Sequence, residues 1–304
     1  MGGAHGHQHV GSAAPRRRLA LVLGITGGIG LAEVVAAVLG HSLALLADAG
    51  HLGADAAGIG LSLLAVHFAG RPPTTRRTFG YQRAEILAAV VNAVLLLGLG
   101  LYVLVEAARR LGHPGVSDPA VMAVVGTLAL LGNAASLALL RPGRETSLNL
   151  RGAYLEVLSD LFGAVGVVVA AGVIHTWGFQ RADPLASLAI AALILPRTVR
   201  LLRQAVDVLL EATPEGVDLD EVRRHICETP GVLSCHDLHA WTIASGLPVL
   251  SAHVVVSEDV WQAGTSPAVL DRLGDCLAGH FDVGHSTFQL EQTSHADHEG
   301  DLHD

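Results

Sequence analysis

Two pairs of ionisable residues stand inside stretches that are otherwise apolar. His51 and Asp55 lie four apart in LALLADAGHLGAD (Leu43–Asp55), and Glu156 and Asp160 lie four apart in YLEVLSD (Tyr154–Asp160). On a helix that spacing puts both members of a pair on one face. Asp48, seven before Asp55, joins the same stripe. An ionised group at mid-bilayer costs roughly 2.5–3.5 kcal/mol on insertion scales, so five such groups on two helices need something to compensate them. A divalent cation does so. Two helices that each present an i,i+4 pair can converge on one ion, and His51, Asp55, Glu156 and Asp160 then form an approximately tetrahedral set suited to zinc. Cobalt, cadmium, iron or manganese could occupy it too. Pairing within a helix accounts for His51 beside Asp55 but not for Glu156 beside Asp160, because two neighbouring acids resist ionisation without a cation. Asp48 is either a group that orients a ligand from behind or one that packs the helices.

These residues need helices that cross a membrane. The chain has 304 residues, of which 51% are hydrophobic and only 15% charged, against roughly 25% charged in soluble domains; its mean hydropathy is +0.47. Apolar stretches run near Leu19–Leu39, Ser42–Phe68, Ile86–Ala108, Pro119–Leu140, Tyr154–Ile174 and Asp183–Val199. A bilayer core takes about 20 helical residues, so six spans are expected. Arginine sets their direction. Arg16–Arg18, then Arg71, Arg76, Arg77 and Arg83, then Arg141, Arg144 and Arg151, then Arg197, Arg200 and Arg203 fall in connections on one side. The connections around Gly40–His41, Gly112–Ser117 and His175–Arg181 hold Arg181 alone, with Arg109 and Arg110 dissenting at the end of the third span. Both termini are therefore expected in the cytoplasm.

Beyond about Ala205 the pattern changes to helix (Asp218–Glu228), strand (Val232–Ile243), a turn at Ser245–Gly246, strand (Pro248–Val256), helix (Ser266–Phe281) and strand (Ser286–Gln292). This α-β-β-α-β order predicts a small α+β domain with an antiparallel sheet. The expected organisation is a disordered tail over 1–18, an all-α six-helix transmembrane bundle over 19–204, a cytosolic α+β domain over 205–292, and a disordered acidic tail over 293–304. Cys227, Cys235 and Cys276 form no CxxC and are read as reduced thiols. Cys235 and His236 are neighbours on a strand and point to opposite faces. The net charge of −9 speaks against nucleic acid as a partner. His5, His7 and His9, and His295, His298 and His303, stand in tails that can collect metal weakly.

SLALLADAGHLGAD (Ser42–Asp55), TFGYQRAEILAAVVN (Thr78–Asn92), RGAYLEVLSD (Arg151–Asp160) and HDLHAWTIASGLPVLSAHVVV (His236–Val256) resemble the cation diffusion facilitator family, especially its bacterial cobalt–zinc–cadmium resistance branch. The resemblance implies a homodimeric, proton-coupled exporter in a cell membrane, with a ferredoxin-like cytosolic domain and no organic cofactor. It implies a transport site on the second and fifth helices. His51, Asp55 and Asp160 match that site, whereas Glu156 stands where the family usually has His; the change from imidazole to carboxylate opens an alternative preference for Fe2+, Mn2+ or Co2+ over Zn2+. By position the resemblance also implies His236, His253, His285 and Glu291, with His239 nearby, as cytosolic metal ligands. The family's occasional extra site between the second and third helices is not expected, since Gly70–Phe79 contains no Asp, Glu or His. A second reading is a non-transporting metal sensor or structural partner in the membrane. A membrane metalloenzyme finds no support, because no HExxH or comparable motif is present.

Overall fold

The computed structural model describes residues 13–141, 148–244, 246–281, 283 and 285–296. His5, His7, His9, His298, His303, Arg144 and Ser245 lie outside the described residues.

Six long helices open the chain: α1 (Ala13–Leu39), α2 (Leu43–Ala69), α3 (Ala84–Gly112), α4 (Pro119–Leu140), α5 (Leu148–Trp177) and α6 (Ala182–Leu209). Among the described residues, five of them are long and apolar enough to cross a membrane. The sixth, α2, has the same length as α1 but carries Asp48, His51 and Asp55 in its first half. Two expectations are corrected at the ends. The first helix begins at Ala13, inside the segment expected to be disordered, and the sixth continues ten residues past the expected Val199.

The chain divides into two compact units, 1–60 with 91–201, and 61–90 with 202–304. In the first, α4 packs chiefly against α5 and α1. Small residues permit the approach: a Cβ on Gly126 would meet Val167 at 2.9 Å, and one on Gly132 would meet Ile29 at 2.6 Å. Close backbone approach through glycine is how helices pack where lipid offers no hydrophobic drive. Leu43, Leu45, Val103, Met122 and Val167 fill the core between them. Their large outward neighbours, such as Leu31, Leu95, Leu131 and Phe162, are exposed, as lipid-facing side chains are.

One buried carboxylate ties three connections of this unit together. Asp183, at the start of α6, accepts hydrogen bonds from Ser42 Oγ (2.6 Å), the Leu43 and Ala44 amides (2.8 and 3.1 Å) and Ser117 Oγ (3.1 Å). It thereby caps α2 from another helix, satisfying amides that a helix start leaves without partners. Arg110 donates to the His41 carbonyl at 2.8 Å and pairs with Glu106 at 3.0 Å, and Arg181 donates to the Leu111 carbonyl at 2.9 Å. Gly40–Ser42, His113–Asp118 and Gly178–Arg181 thus meet at one end of the unit. The dissenting Arg110 has its charge matched by Glu106 there.

In the second unit, α7 (Leu219–Cys227), β1 (Val232–Thr242), β2 (Pro248–Val256), α8 (Glu258–Gln262), α9 (Ser266–His280), β3 (His285–Glu291) and α10 (Thr293–Ala296) follow. Asp218 caps α7 through the Asp220 and Glu221 amides. The sheet order is β1-β2-β3, with β1 and β2 antiparallel. β3 runs parallel to β2, which corrects the expected all-antiparallel sheet. The reason is the connection: α9 carries the chain back along the sheet before β3 begins, and such a helical crossover joins parallel strands. Val222, Ile226, Leu250, Val254, Leu273 and Leu277 form the core under one sheet face. Cys235 points into it, so burial pushes its thiol up to about 11. No disulfide joins Cys227, Cys235 or Cys276. In the connection between α2 and α3, Arg71 stacks over Phe68 and Arg77 over Tyr81.

Candidate metal centres

The sequence motifs place two carboxylate-bearing faces in the first unit, one on α2 and one on α5. His51 is the meeting point. Its Nε2 lies 3.4 Å from Asp55 Oδ2 on its own helix and 3.6 Å from Asp160 Oδ1 on α5. His51 and Asp160 are 5% and 4% exposed, so one end of the cluster is deep. Asp55 and Glu156 are more open, with side chains 28% and 35% exposed, and their carboxylates neighbour each other. His51 Nδ1 and Asp160 Oδ1 are buried without a hydrogen-bond partner. Buried polar atoms are almost always satisfied, and an Asp160 oxygen without a hydrogen-bond donor, facing the His51 Nε2 edge beside Asp55, marks a place where a cation can bind.

Glu156 also meets α6. Its Oε1 accepts a hydrogen bond from Arg197 Nη2 on α6 at 3.2 Å. Asp48, one turn before His51, is 3% exposed. It packs on Gly163 of α5, where a Cβ would stand 2.9 Å from its Oδ1. Behind it is Glu33 of α1, fully buried, with neither carboxylate oxygen bonded to a donor. Sequence reasoning missed Glu33. Its signal was a lone acid in mid-span, between Leu31-Ala32 and Val34-Val35, which by cost alone marks function.

The second cluster lies on the sheet face away from the core. His236 of β1 and His253 of β2 are directly paired in the antiparallel register, so they share a face, their ring centroids 5.3 Å apart. Glu291 ends β3, two residues beyond the partner of His253 and so on that same face. His253 Nδ1 lies 2.8 Å from Glu291 Oε1, and His236 Nε2 lies 3.5 Å from Glu291 Oε2. One ligand atom from each of the three residues falls within 4.8 Å of the others. The Glu291 side chain is 1% exposed, and its Oε2 has no hydrogen-bond donor. Two imidazoles and a carboxylate are a donor set that zinc accepts.

The other proposed ligands of this domain stand apart. His239 turns to Asp237, at 2.9 Å, on the far side of a register shift between His236 and His239. Asp237 has a left-handed backbone (φ 49°), which aims its carboxylate at both His239 and His253, the latter at 3.8 Å. His285 opens β3, six residues from Glu291, and its exposed ring meets the edge of Phe79.

Comparison with known proteins agrees with this architecture. Residues 19–210 match the cation efflux transmembrane domain, and residues 214–293 match the cation efflux protein cytoplasmic domain. The metal cation efflux system protein CzcD of Cupriavidus metallidurans is 44% identical over 96% of this chain and 90% of its own length. Zinc transporter ZitB of Escherichia coli is 40% identical over 95% of the chain and 92% of its own. The cadmium, cobalt and zinc/H(+)-K(+) antiporter of Bacillus subtilis is 37% identical over 95% and 93%. A solved metal-bound C-terminal domain of the CzcD transporter is 44% identical over 25% of this chain and 99% of that one, with a TM-score of 0.23.

Proposed function

The chain belongs to the cation efflux family, and from that premise we propose that it exports divalent transition-metal cations, zinc first with cadmium and cobalt, from the cytoplasm in exchange for protons. It is a multi-pass membrane transporter and not an enzyme. The observation that carries the reading is the convergence of Asp55 and Asp160 on His51, with His51 Nδ1 and Asp160 Oδ1 unpartnered in a buried place. His51, Asp55, Glu156 and Asp160 are the transport ligands in this reading. The zinc, cadmium and cobalt named for its relatives support that substrate class over iron or manganese.

Coupling follows from charge. A divalent cation needs the imidazole neutral and the carboxylates ionised, so metal and protons compete for one set of atoms. Near-neutral pH inside favours loading, and a more acidic exterior favours release. Alternate exposure of the site would come from repacking of the helices. Arginine placement supports both termini in the cytoplasm. There the domain after the sixth span forms a homodimer and binds metal through His236, His253 and Glu291. Loading of that site biases the membrane part towards one state.

The test is metal flux into proteoliposomes under an imposed pH gradient, with zinc, cadmium, cobalt, iron and manganese in parallel. Zinc transport driven by the gradient and abolished by Asp55→Ala is the expected result. Flux indifferent to the gradient would remove antiport, and an undiminished Asp55→Ala would remove the site.

A further inference from the structure

Glu156 departs from the histidine that the family resemblance implies, and the departure adds a negative charge. With His51 neutral, Asp55, Glu156 and Asp160 bring a formal charge of −3 to the cluster. A divalent cation leaves −1 uncancelled among groups that are buried or half-buried. Arg197 is the compensating charge that the structure supplies: its Nη2 meets Glu156 Oε1 at 3.2 Å. Guanidinium stays protonated at any physiological pH, so the five side chains together carry −2, and a divalent ion brings the site to zero.

We propose that Arg197 is a positioning and charge-setting residue of the transport site, and that Glu156 and Arg197 together replace one neutral histidine ligand. The contact runs from one guanidinium nitrogen to one carboxylate oxygen. A carboxylate has two oxygens, so Glu156 can offer the other to the cation while Arg197 holds the first. Held in this way, Glu156 binds through one oxygen and adds no net charge, as an imidazole does through one nitrogen. Arg197 follows Pro196 within α6, so the charge on a ligand of α5 is set from a different helix. Motion of α6 against α5 would then alter the site's charge as well as its shape. The proposal rests on the transport reading above and deepens it by naming what sets affinity and release.

The experiment is a double-mutant cycle over Glu156→His and Arg197→Gln, read as KM and kcat for zinc and cadmium in proteoliposomes, beside wild type and Asp55→Ala. Arg197→Gln leaves the site at −3, and should lower KM and slow turnover by about tenfold or more, since release is from a more negative cage. Glu156→His alone leaves −1, and should raise KM by a similar factor. The double variant returns to −2, and should bring KM within about threefold of wild type, because two opposite changes of similar size cancel. Arg197→Lys, which keeps the charge, should stay near wild type; a purely structural role for the guanidinium would not be rescued by it. If Arg197→Gln is not recovered in the membrane, Glu156→His with and without Arg197→Gln carries the comparison, and the double variant must show the lower KM. A double variant that stays as far from wild type as either single variant, or an Arg197→Gln KM equal to wild type, overturns the proposal. Absence of flux from wild type, or flux unaffected by Asp55→Ala, would instead overturn the transport reading itself.

Discussion

Asp183 accepts a hydrogen bond from the Leu43 amide at 2.8 Å, although 140 residues separate them in the chain. The carboxylate is fully buried and also takes up Ser42 Oγ, the Ala44 amide and Ser117 Oγ. The helix that carries His51 and Asp55 is therefore started by the helix that carries Arg197. Replacing Asp183 by Ala leaves those donors unmatched in a buried place. The expected cost is about 2–4 kcal/mol, seen as an unfolding midpoint lowered by several degrees in detergent, with Asp183→Asn in between. A midpoint unchanged by Asp183→Ala would show that this cap holds nothing.

Removal of a deep ligand should be more damaging to transport than to folding. Asp160→Asn keeps the volume at a 4% exposed position and removes the charge that faces His51. Zinc kcat/KM is expected to fall at least about 100-fold, since one charged ligand of four is lost, with the unfolding midpoint within a few degrees of wild type. Equal losses of stability and flux would mean that Asp160 serves the fold instead.

In the cytosolic domain, metal should follow the three residues that meet and not those that stand apart. Equilibrium dialysis of the full-length protein against zinc is expected to show binding at this domain weakened at least about tenfold by His253→Ala or Glu291→Ala. His285→Ala should have a smaller effect, because His285 lies at the other end of β3 against Phe79. The reverse order of effects would move the site along the sheet.

The thiols give a pH-dependent check on the core of that domain. Burial raises the Cys235 thiol to about 11, so its thiolate is scarce at pH 8 and should increase about tenfold per pH unit until that value is approached. Cys227 is exposed. With a neutral alkylating reagent at pH 8, Cys227 should be modified first and Cys235 only slowly, and unfolding should equalise them. Rapid labelling of native Cys235 would show that the strand is not packed against α7 and α9.

Much of this protein was legible without coordinates, because the relevant signals are local. An apolar run of bilayer length makes a spanning helix whatever its neighbours are, and four-residue spacing puts His51 with Asp55 on one face. Strand and helix boundaries in the cytosolic domain came within two residues of those expected, as with Pro248–Val256 and His285–Glu291. The direction of β3 did not follow from its residues, because a strand's own pattern is the same in either direction. Only pairing across the fold brought His236, His253 and Glu291 together while leaving His239 and His285 apart. Tertiary packing likewise gave Glu156 its partner Arg197, Asp183 its helix to cap, and Glu33 its place behind Asp48. Spacing along a chain reports which side chains share an element's face; which charge a buried carboxylate meets depends on the element packed opposite, and no local period records that.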